Sequence, residues 1–249
     1  MPGANLLTVQ KLIEHLQEIE RSGLPQKLLH EGLSKNLGVI EPWTALTDSI
    51  LATWVAFWAA YLFCRANGRR PVVLWAWAFL ASAVSSLAGV AFHGCRLFMP
   101  IEATRFVWKL VPVASGVATL CLGLAAAIVW LRPAARRAVA ALLVVEFAAC
   151  LGAVFLLPPP WCNKFLIVII DSAPVLLALL IGSALHWKES ASRWIVPGVL
   201  TAVIAGAVQF SGWRAGHPPD NNDIFHVIQM AAMYFLYRGG VLLGDPERD

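Results

Sequence analysis

The stretch PVASGVATLCLGLAAAIVWL, residues 112–131, contains 20 residues and no charged side chain. A helix needs about 20 mostly apolar residues to cross the hydrocarbon core of a bilayer, which is about 30 Å thick. The stretch therefore predicts a membrane-spanning helix. The composition of the chain agrees, since 59% of its 249 residues are hydrophobic and 14% are charged, whereas soluble domains contain about 25% charged residues.

Seven apolar segments of this kind follow one another along the chain. Polar breaks rich in Gly, Pro and charge separate them, which is the usual punctuation between helices. The predicted spans are 45–64, 72–97, 105–131, 136–157, 163–186, 194–212 and 224–243. Since no internal repeat divides them, we expect an all-α fold, with a seven-transmembrane-helix bundle forming one domain over residues 44–249.

Residues 1–43 differ from the rest of the chain. Apolar residues recur at helical spacing from Leu6 to Ile19, while charged residues occupy the other face. This pattern predicts an amphipathic helix, and a second short helix is expected over 26–36. We interpret the segment as interfacial helices lying on the membrane. A role in binding a partner or as a lid is the alternative.

Basic residues are concentrated in alternate loops. The first and third loops contain Arg65, Arg69, Arg70, Arg132, Arg136 and Arg137. Cytoplasmic loops of membrane proteins carry such an excess of Lys and Arg. The bias predicts an N-terminus outside the membrane and a cytoplasmic C-terminus. It also accounts for the net charge of +4, so we expect membrane lipid as the partner and no nucleic acid.

Insertion of an ionisable side chain into the bilayer costs about 2.5–3.5 kcal/mol, so each such side chain indicates a structural or functional role. The apolar segments contain Asp48, His93, Lys109, Glu146, Asp171 and His226. Successive spans alternate in direction, so all of these except Glu146 fall in the half of the membrane nearest the N-terminus. Gln209 and Asp223 fall in the same half. One half of the bundle is therefore predicted to be polar inside.

Two histidines are predicted to lie at the same depth. His93 is 21 residues after Val72, about 32 Å along a helix, and His226 lies just inside the last span. Asp223 and Asn222 precede His226 by three and four residues, which places each of them on about the same face of the helix as His226. Imidazole with carboxylate or amide oxygen is a donor set that zinc accepts. Interfacial histidines, with Asp223 as a carboxylate favouring the helix dipole, are the alternative.

Two motifs resemble a known family of membrane proteins. VAFHGC at 90–95 and DIFHVIQMAAMYFLYRGG at 223–240 are similar to the second and seventh helices of the CREST superfamily, which includes alkaline ceramidases and the adiponectin- and progestin-receptor-like proteins. The resemblance covers the seven-helix arrangement, but only these two stretches in residues. It implies a zinc ion held by a helix 2 histidine and a helix 7 HxxxH, assisted by a serine and a helix 3 aspartate. It also implies hydrolysis of lipid amides.

Only part of the family pattern is present in this sequence. His93 and His226 match, whereas Asn222 replaces the first histidine of HxxxH. The family serine falls on Gly89, and the predicted third helix contains Lys109 but no aspartate. Two of the five family positions are therefore kept.

Three residues could supply the missing zinc ligand: Asp223, His217 from the preceding loop, or Cys95. Asp223 is favoured, because it is anionic and shares a helix face with His226. The predicted metal site is then His93, Asp223 and His226. Its further pocket residues are Asn222, Lys109, Gln229 and His217. Alternatively the zinc is lost, and Lys109 pairs with Asp48, Asp171 or Asp223.

Three functions are compatible with these residues. The first is a divergent CREST-like hydrolase, in which zinc-activated water attacks a lipid amide or ester with Ser86, Asp48 and Asp171 assisting. The second is a non-catalytic membrane protein of the same fold that binds a lipid or another ligand, and an ion pair of Lys109 at the zinc position would favour it. The third is a proton-coupled transporter using Glu146 and Asp171, although the cytoplasmic half has no matching polar path.

Overall fold

The computed structural model describes residues 41–157, 165–212 and 219–244. These residues form seven α-helices and no strand. The helices are α1 Pro42–Arg65, α2 Arg70–Cys95, α3 Ile101–Trp130, α4 Pro133–Leu156, α5 Leu166–Leu185, α6 Ser192–Ser211 and α7 Asn221–Val241, with a 3-10 turn Arg96–Phe98 after α2. The prediction of an all-α fold is confirmed. The predicted amphipathic helices before residue 41 lie outside the described residues.

The helices α1 to α6 are each long and apolar enough to cross a membrane. This is the pattern of a multi-pass membrane protein. The seventh helix has 21 residues and is less apolar, because its first turn reads Asn-Asn-Asp. The seven predicted apolar segments coincide with the seven helices to within a few residues.

Two kinds of sequence signal mark the first turns of these helices. Proline lies in the first turn of α1, α2 and α4. Backbone N–H groups in the first turn of a helix have no acceptor within that helix, so proline, which lacks an N–H, loses no hydrogen bond there. The last helix begins with a capping box. The Asp220 carboxylate accepts the N–H of Asn222 at 2.9 Å, and the Asp223 carboxylate accepts the N–H of Asp220 at 3.0 Å. These bonds satisfy the free N–H groups of a helix start.

Six helices form a closed ring, and α4 lies outside it. In the order α1, α2, α3, α5, α6 and α7, each helix packs against the next, and α7 returns to contact α1. The outer helix α4 packs mainly against α3 and touches α5 only slightly. Its buried residues are accordingly few: Leu143, Cys150 and Val154.

Trp75 fastens α2 to α7 inside the ring. Its side chain is fully buried, and its indole N–H donates to the Leu236 carbonyl oxygen at 2.9 Å. A Cβ at Gly240 would overlap the indole ring. Nearby, the Arg69 guanidinium donates to the carbonyl oxygens of Val241 at 3.3 Å and Leu243 at 2.8 Å. The loop after α1 therefore caps the end of α7.

The close approach of Gly240 to Trp75 predicts a destabilising Gly240→Ala substitution. We expect a loss of about 1–3 kcal/mol in the free energy of unfolding, because the added methyl overpacks the indole site. The matched control is Gly206→Ala on α6, where a Cβ would meet nothing within 4 Å; there alanine is expected to stabilise the helix by up to about 1 kcal/mol. Thermal unfolding in detergent micelles, followed by near-ultraviolet circular dichroism, measures both. Equal shifts in the two variants would contradict the packing.

Candidate functional site

Polar side chains meet where the start of α1 faces the start of α7. We call Thr44, Thr47, Asp48, Asp223 and His226 the polar cluster. All except Thr47 are buried, and Thr47 is half-buried. Buried polar groups are tolerated only when hydrogen bonds satisfy them. The hydrogen-bond partners of each residue therefore show its role in the cluster.

His226 is held by α1 through both ring nitrogens. Its Nδ1 lies 2.9 Å from Thr47 Oγ1, and its Nε2 lies 3.2 Å from Asp48 Oδ1. His226 is 7% exposed and Asp48 is 4% exposed. The contact therefore joins an imidazole and a carboxyl group away from water, and it joins the first helix of the ring to the last.

The proton positions in this contact follow from the single hydrogen of the Thr47 hydroxyl. The hydroxyl also lies 3.1 Å from the Thr44 carbonyl oxygen. If it donates there, it accepts from Nδ1–H of His226, and the Asp48 contact then requires a proton on either Nε2 or the carboxyl group. If it donates to Nδ1, then Nε2–H donates to Asp48. In both arrangements one proton lies between His226 and Asp48.

Gly89 on α2 provides the space that the Asp48 carboxyl group occupies. A Cβ at Gly89 would lie 2.5 Å from Asp48 Oδ2 and 2.9 Å from its Cγ. Contacts below 3.0 Å are not compatible with ordinary packing, so any side chain at this position displaces Asp48. Gly89 stands where the CREST pattern has serine, and the structure supplies a physical reason for the difference.

Asp223 is engaged on both of its carboxylate oxygens. Thr44 Oγ1 donates to Oδ1 at 3.1 Å, and the Asp220 N–H donates to Oδ2 at 3.0 Å. The side chain therefore closes the capping box of α7 and links this helix to α1. This is the role of an N-terminal carboxylate that the sequence left open as the alternative to metal binding.

His93 contacts Glu41, which is not among the site residues predicted from the sequence. Its Nδ1 forms a hydrogen bond with Glu41 Oε2, and the Arg96 guanidinium lies 3.4 Å from Glu41 Oε1. The N–H of Glu41 also donates to the His93 carbonyl oxygen at 3.3 Å. Glu41 is the N-cap residue of α1, so this contact fixes the start of α1 against the end of α2.

The arrangement does not present the predicted zinc ligands to a common point. His93, Asp223 and His226 each bond to different partners, and the described residues contain no group of three His, Cys, Asp or Glu side chains able to hold a metal ion. Zinc would require His93 to leave Glu41 and Asp223 to leave its cap. The 3.2 Å between His226 Nε2 and Asp48 Oδ1 is a hydrogen-bond distance.

A family model covers nearly all of this helical bundle. The model of a family of unknown function, DUF6962, matches residues 43–245. The chain belongs to the DUF6962 family. No curated protein and no solved structure matches it.

In this DUF6962 protein, Asn222 faces a different helix from His226. Asn222 Oδ1 accepts from Gln209 Nε2 at 2.6 Å, and Asn221 Nδ2 donates to the Gln209 carbonyl oxygen at 3.1 Å. The position of the first HxxxH histidine is therefore turned towards α6. Gln229 lies half-buried on α7, and His217 lies outside the described residues.

Two other predicted site residues described by the structure are Lys109 and Ser86. The Lys109 ammonium group is 4.9 Å from the centre of the Phe155 ring on α4. The ion pair at the zinc position that would have favoured a non-catalytic protein is therefore not the contact that Lys109 makes. Ser86 is half-buried and lies two helical turns, about 10 Å, from His93 along α2. Its neighbour Ser85 donates to the Val111 carbonyl oxygen at 3.1 Å.

Asp171 belongs to a second site, a groove between α4 and α5. The groove has a volume of about 350 Å³. It is lined by Glu146, Ala149, Cys150, Ala153, Leu157, Leu166, Ile167, Ile170 and Asp171. Asp171 is 5% exposed, and its carboxyl group interacts with Thr119 and Cys150. Its Oδ2 atom nevertheless accepts no hydrogen bond of normal geometry from the described residues. We call this feature the α4–α5 groove.

The contact between Gly89 and Asp48 predicts an energetic coupling between the two positions. We expect Gly89→Ser and Asp48→Ala each to lower the free energy of unfolding, the first by displacing the carboxyl group and the second by leaving His226 Nε2 without its partner. The double variant should lose less than the sum, by about 0.5–3 kcal/mol, because the smaller alanine side chain on α1 leaves room for the serine. Thermal unfolding of all four proteins gives the coupling. Strict additivity would show that the two residues do not compete for space.

Proposed function

We propose that the protein spans the membrane seven times, with its N-terminus outside and its C-terminus in the cytoplasm. The place of α7 between α6 and α1 in the ring supports a seventh span. Its polar first turn is compensated by the capping box and by Thr44 and Gln209. The Arg-rich first and third loops support the orientation.

This orientation predicts which engineered cysteines react from outside the cell. Glu102→Cys, at the start of α3, should react with a membrane-impermeant maleimide in intact cells. Ser190→Cys, in the loop between α5 and α6, should react only after lysis. Both native side chains are exposed. The measurement uses a background without the five native cysteines, and the reverse labelling pattern would invert the orientation.

We further propose that the protein binds an amphiphile with a protonated amine and an alkyl chain, taken from the lipid phase. The observation that carries this proposal is the unpaired Asp171 Oδ2 in the α4–α5 groove. A buried acceptor without a donor costs about 1–3 kcal/mol, and more when it is charged. An ammonium group from a ligand supplies both the missing donor and the opposite charge.

Glu146 strengthens the preference for a cation. It lines the same groove as Asp171, and the two carboxyl groups act on each other electrostatically. Two acids in an apolar setting repel each other when both are ionised. A ligand ammonium between them offsets this repulsion.

The walls of the groove favour an amphiphile over a bare ion. Seven of the nine lining residues are apolar or cysteine, and Leu157, Leu166 and Ile170 reach the outer surface of the bundle. A volume of about 350 Å³ greatly exceeds that of a single cation. Because α4 and α5 touch only slightly, an alkyl chain can lie in the groove while the amine meets the acids.

The amine proposal predicts selective crosslinking in membranes. A long-chain amine carrying a diazirine should label peptides of α4 and α5, and dodecylamine should compete better than dodecanol or dodecanoic acid. Asp171→Asn should reduce labelling about tenfold or more, because a hydrogen bond to a charged group contributes about 1.5–3 kcal/mol.

The matched control for Asp171→Asn is Glu102→Gln, another carboxyl-to-amide change at an exposed position on α3. It should label like the wild type. Equal competition by dodecanol, or equal loss in both variants, would refute the amine site.

Zinc-dependent hydrolysis of a lipid amide or ester, which the CREST resemblance implies, is the second candidate. It is supported by the juxtaposition of an imidazole and a carboxyl group, two side-chain types that bind zinc. The Thr47 contact to the other ring nitrogen also supports it, since zinc-bound histidines usually have such a partner. One equivalent of zinc in purified protein, lost in both His93→Ala and Asp48→Ala, would support this candidate. Amine crosslinking that survives chelation by EDTA is expected if the first proposal holds.

A further inference from the structure

A second cavity lies at the opposite end of the bundle from the polar cluster. It is an open cleft between the last two turns of α1 and of α7 and has a volume of about 340 Å³. Trp58, Tyr61, Tyr234, Tyr237 and Arg238 line it, with two aliphatic residues at the end of α7. We call it the aromatic pocket. It lies beside the Arg-rich first loop, at the depth where aromatic side chains meet lipid head groups.

The aromatic walls of this pocket are mutually packed. The rings of Trp58 and Tyr237 stack with centroids 3.9 Å apart and an interplanar angle of 25°. Tyr61 meets Tyr237 edge-on at 5.6 Å, and Tyr234 meets Trp58 at 6.1 Å. A ligand therefore meets a shaped surface and not a set of freely rotating side chains.

The indole N–H of Trp58 is a donor without an acceptor. Its Nε1 atom is buried and forms no hydrogen bond with the described residues. Buried tryptophans usually find a partner for this group, as Trp75 does with the Leu236 carbonyl oxygen. Trp58 lines the pocket, and its N–H is left without a hydrogen-bond partner in the described part of the chain.

One arginine, Arg238, lines the pocket, and a second, Arg65, lies beside its Tyr61 wall. Arg238 donates to Tyr234 Oη at 3.1 Å and lies 4.4 Å from the centre of the Trp194 ring. Arg65 lies 5.2 Å from the centre of the Tyr61 ring. Within the described part of the chain, these contacts place aromatic groups and no carboxylate against the two guanidinium groups.

The end of α7 would normally repel an anion, because the last carbonyl groups of a helix carry partial negative charge. Here Arg69 donates to the carbonyl oxygens of Val241 and Leu243 and so covers them. A cationic ligand, which an aromatic cage alone would suit, is repelled by Arg238 inside the pocket. The surroundings therefore select an anion.

We propose that the aromatic pocket binds the phosphate of an anionic lipid from the leaflet beside the Arg-rich loop. Arg238 and Arg65 pair with the phosphate oxygens, since guanidinium groups match phosphate geometry, and the Trp58 N–H donates to a further oxygen. The two aliphatic residues at the end of α7 contact the glycerol or the first methylenes of the chains. The site is independent of the α4–α5 groove, which lies on other helices and takes the opposite charge.

The proposal is tested by native mass spectrometry of the full chain, ejected from nanodiscs of equal parts phosphatidylglycerol and phosphatidylcholine. We expect phosphatidylglycerol to remain bound in preference to phosphatidylcholine. Arg238→Gln should reduce the bound fraction about tenfold or more, because a charge-assisted hydrogen bond is lost. The control Arg137→Gln removes an exposed arginine at the same end of the bundle and should retain the lipid.

Trp58→Phe keeps an aromatic ring in the wall and removes the N–H together with the rest of the five-membered ring, so it tests the pocket even if the arginine variant fails to fold. It should weaken retention, whereas Trp77→Phe, a change at a half-exposed tryptophan on α2, should not. Equal retention of the two lipids, or wild-type behaviour of both pocket variants, would overturn the proposal. Displacement of the lipid by millimolar inorganic phosphate would overturn the lipid assignment in favour of a free phosphate.

Discussion

The contact between Asp48 and His226 closes the ring of helices at one end, and the surrounding residues are organised around it. The Asp48 carboxyl group and the His226 imidazole share one buried proton. Thr47 contacts the second nitrogen of His226, and the missing side chain of Gly89 makes room for the second oxygen of Asp48. The interaction thereby involves residues of three helices, α1, α2 and α7.

The two ends of the bundle use different chemistry to hold the first helix against the last. At one end buried hydrogen bonds join α1 to α7, and Glu41 with His93 joins α1 to α2. At the other end stacked rings and arginine side chains do so. Hydrogen bonds require defined partner positions, whereas aromatic packing tolerates a space beside the rings. The cavity between α1 and α7 accordingly lies at the aromatic end.

The helices could be predicted from the sequence because apolar run length is a property of the chain itself. The rotation of each helix about its own axis could not be predicted from the sequence. At about 100° per residue, Asn222 and Asp223 lie on opposite sides of the His226 direction, by about 40° and 60°. Packing turns Asn222 towards Gln209 and Asp223 towards Thr44. Glu41 could not be predicted as a site residue, because a charged residue just before an apolar run gives no indication of burial.

The position of α4 outside the ring means that it is held differently from the other helices. Each of the six ring helices packs against two neighbours in the ring, so displacing any of them breaks both contacts and opens the ring. The outer helix is held mainly by α3, and it can move away from α5 while the ring stays intact. The proposed ligand of the α4–α5 groove would thus enter or leave by displacing one peripheral helix, without opening the ring.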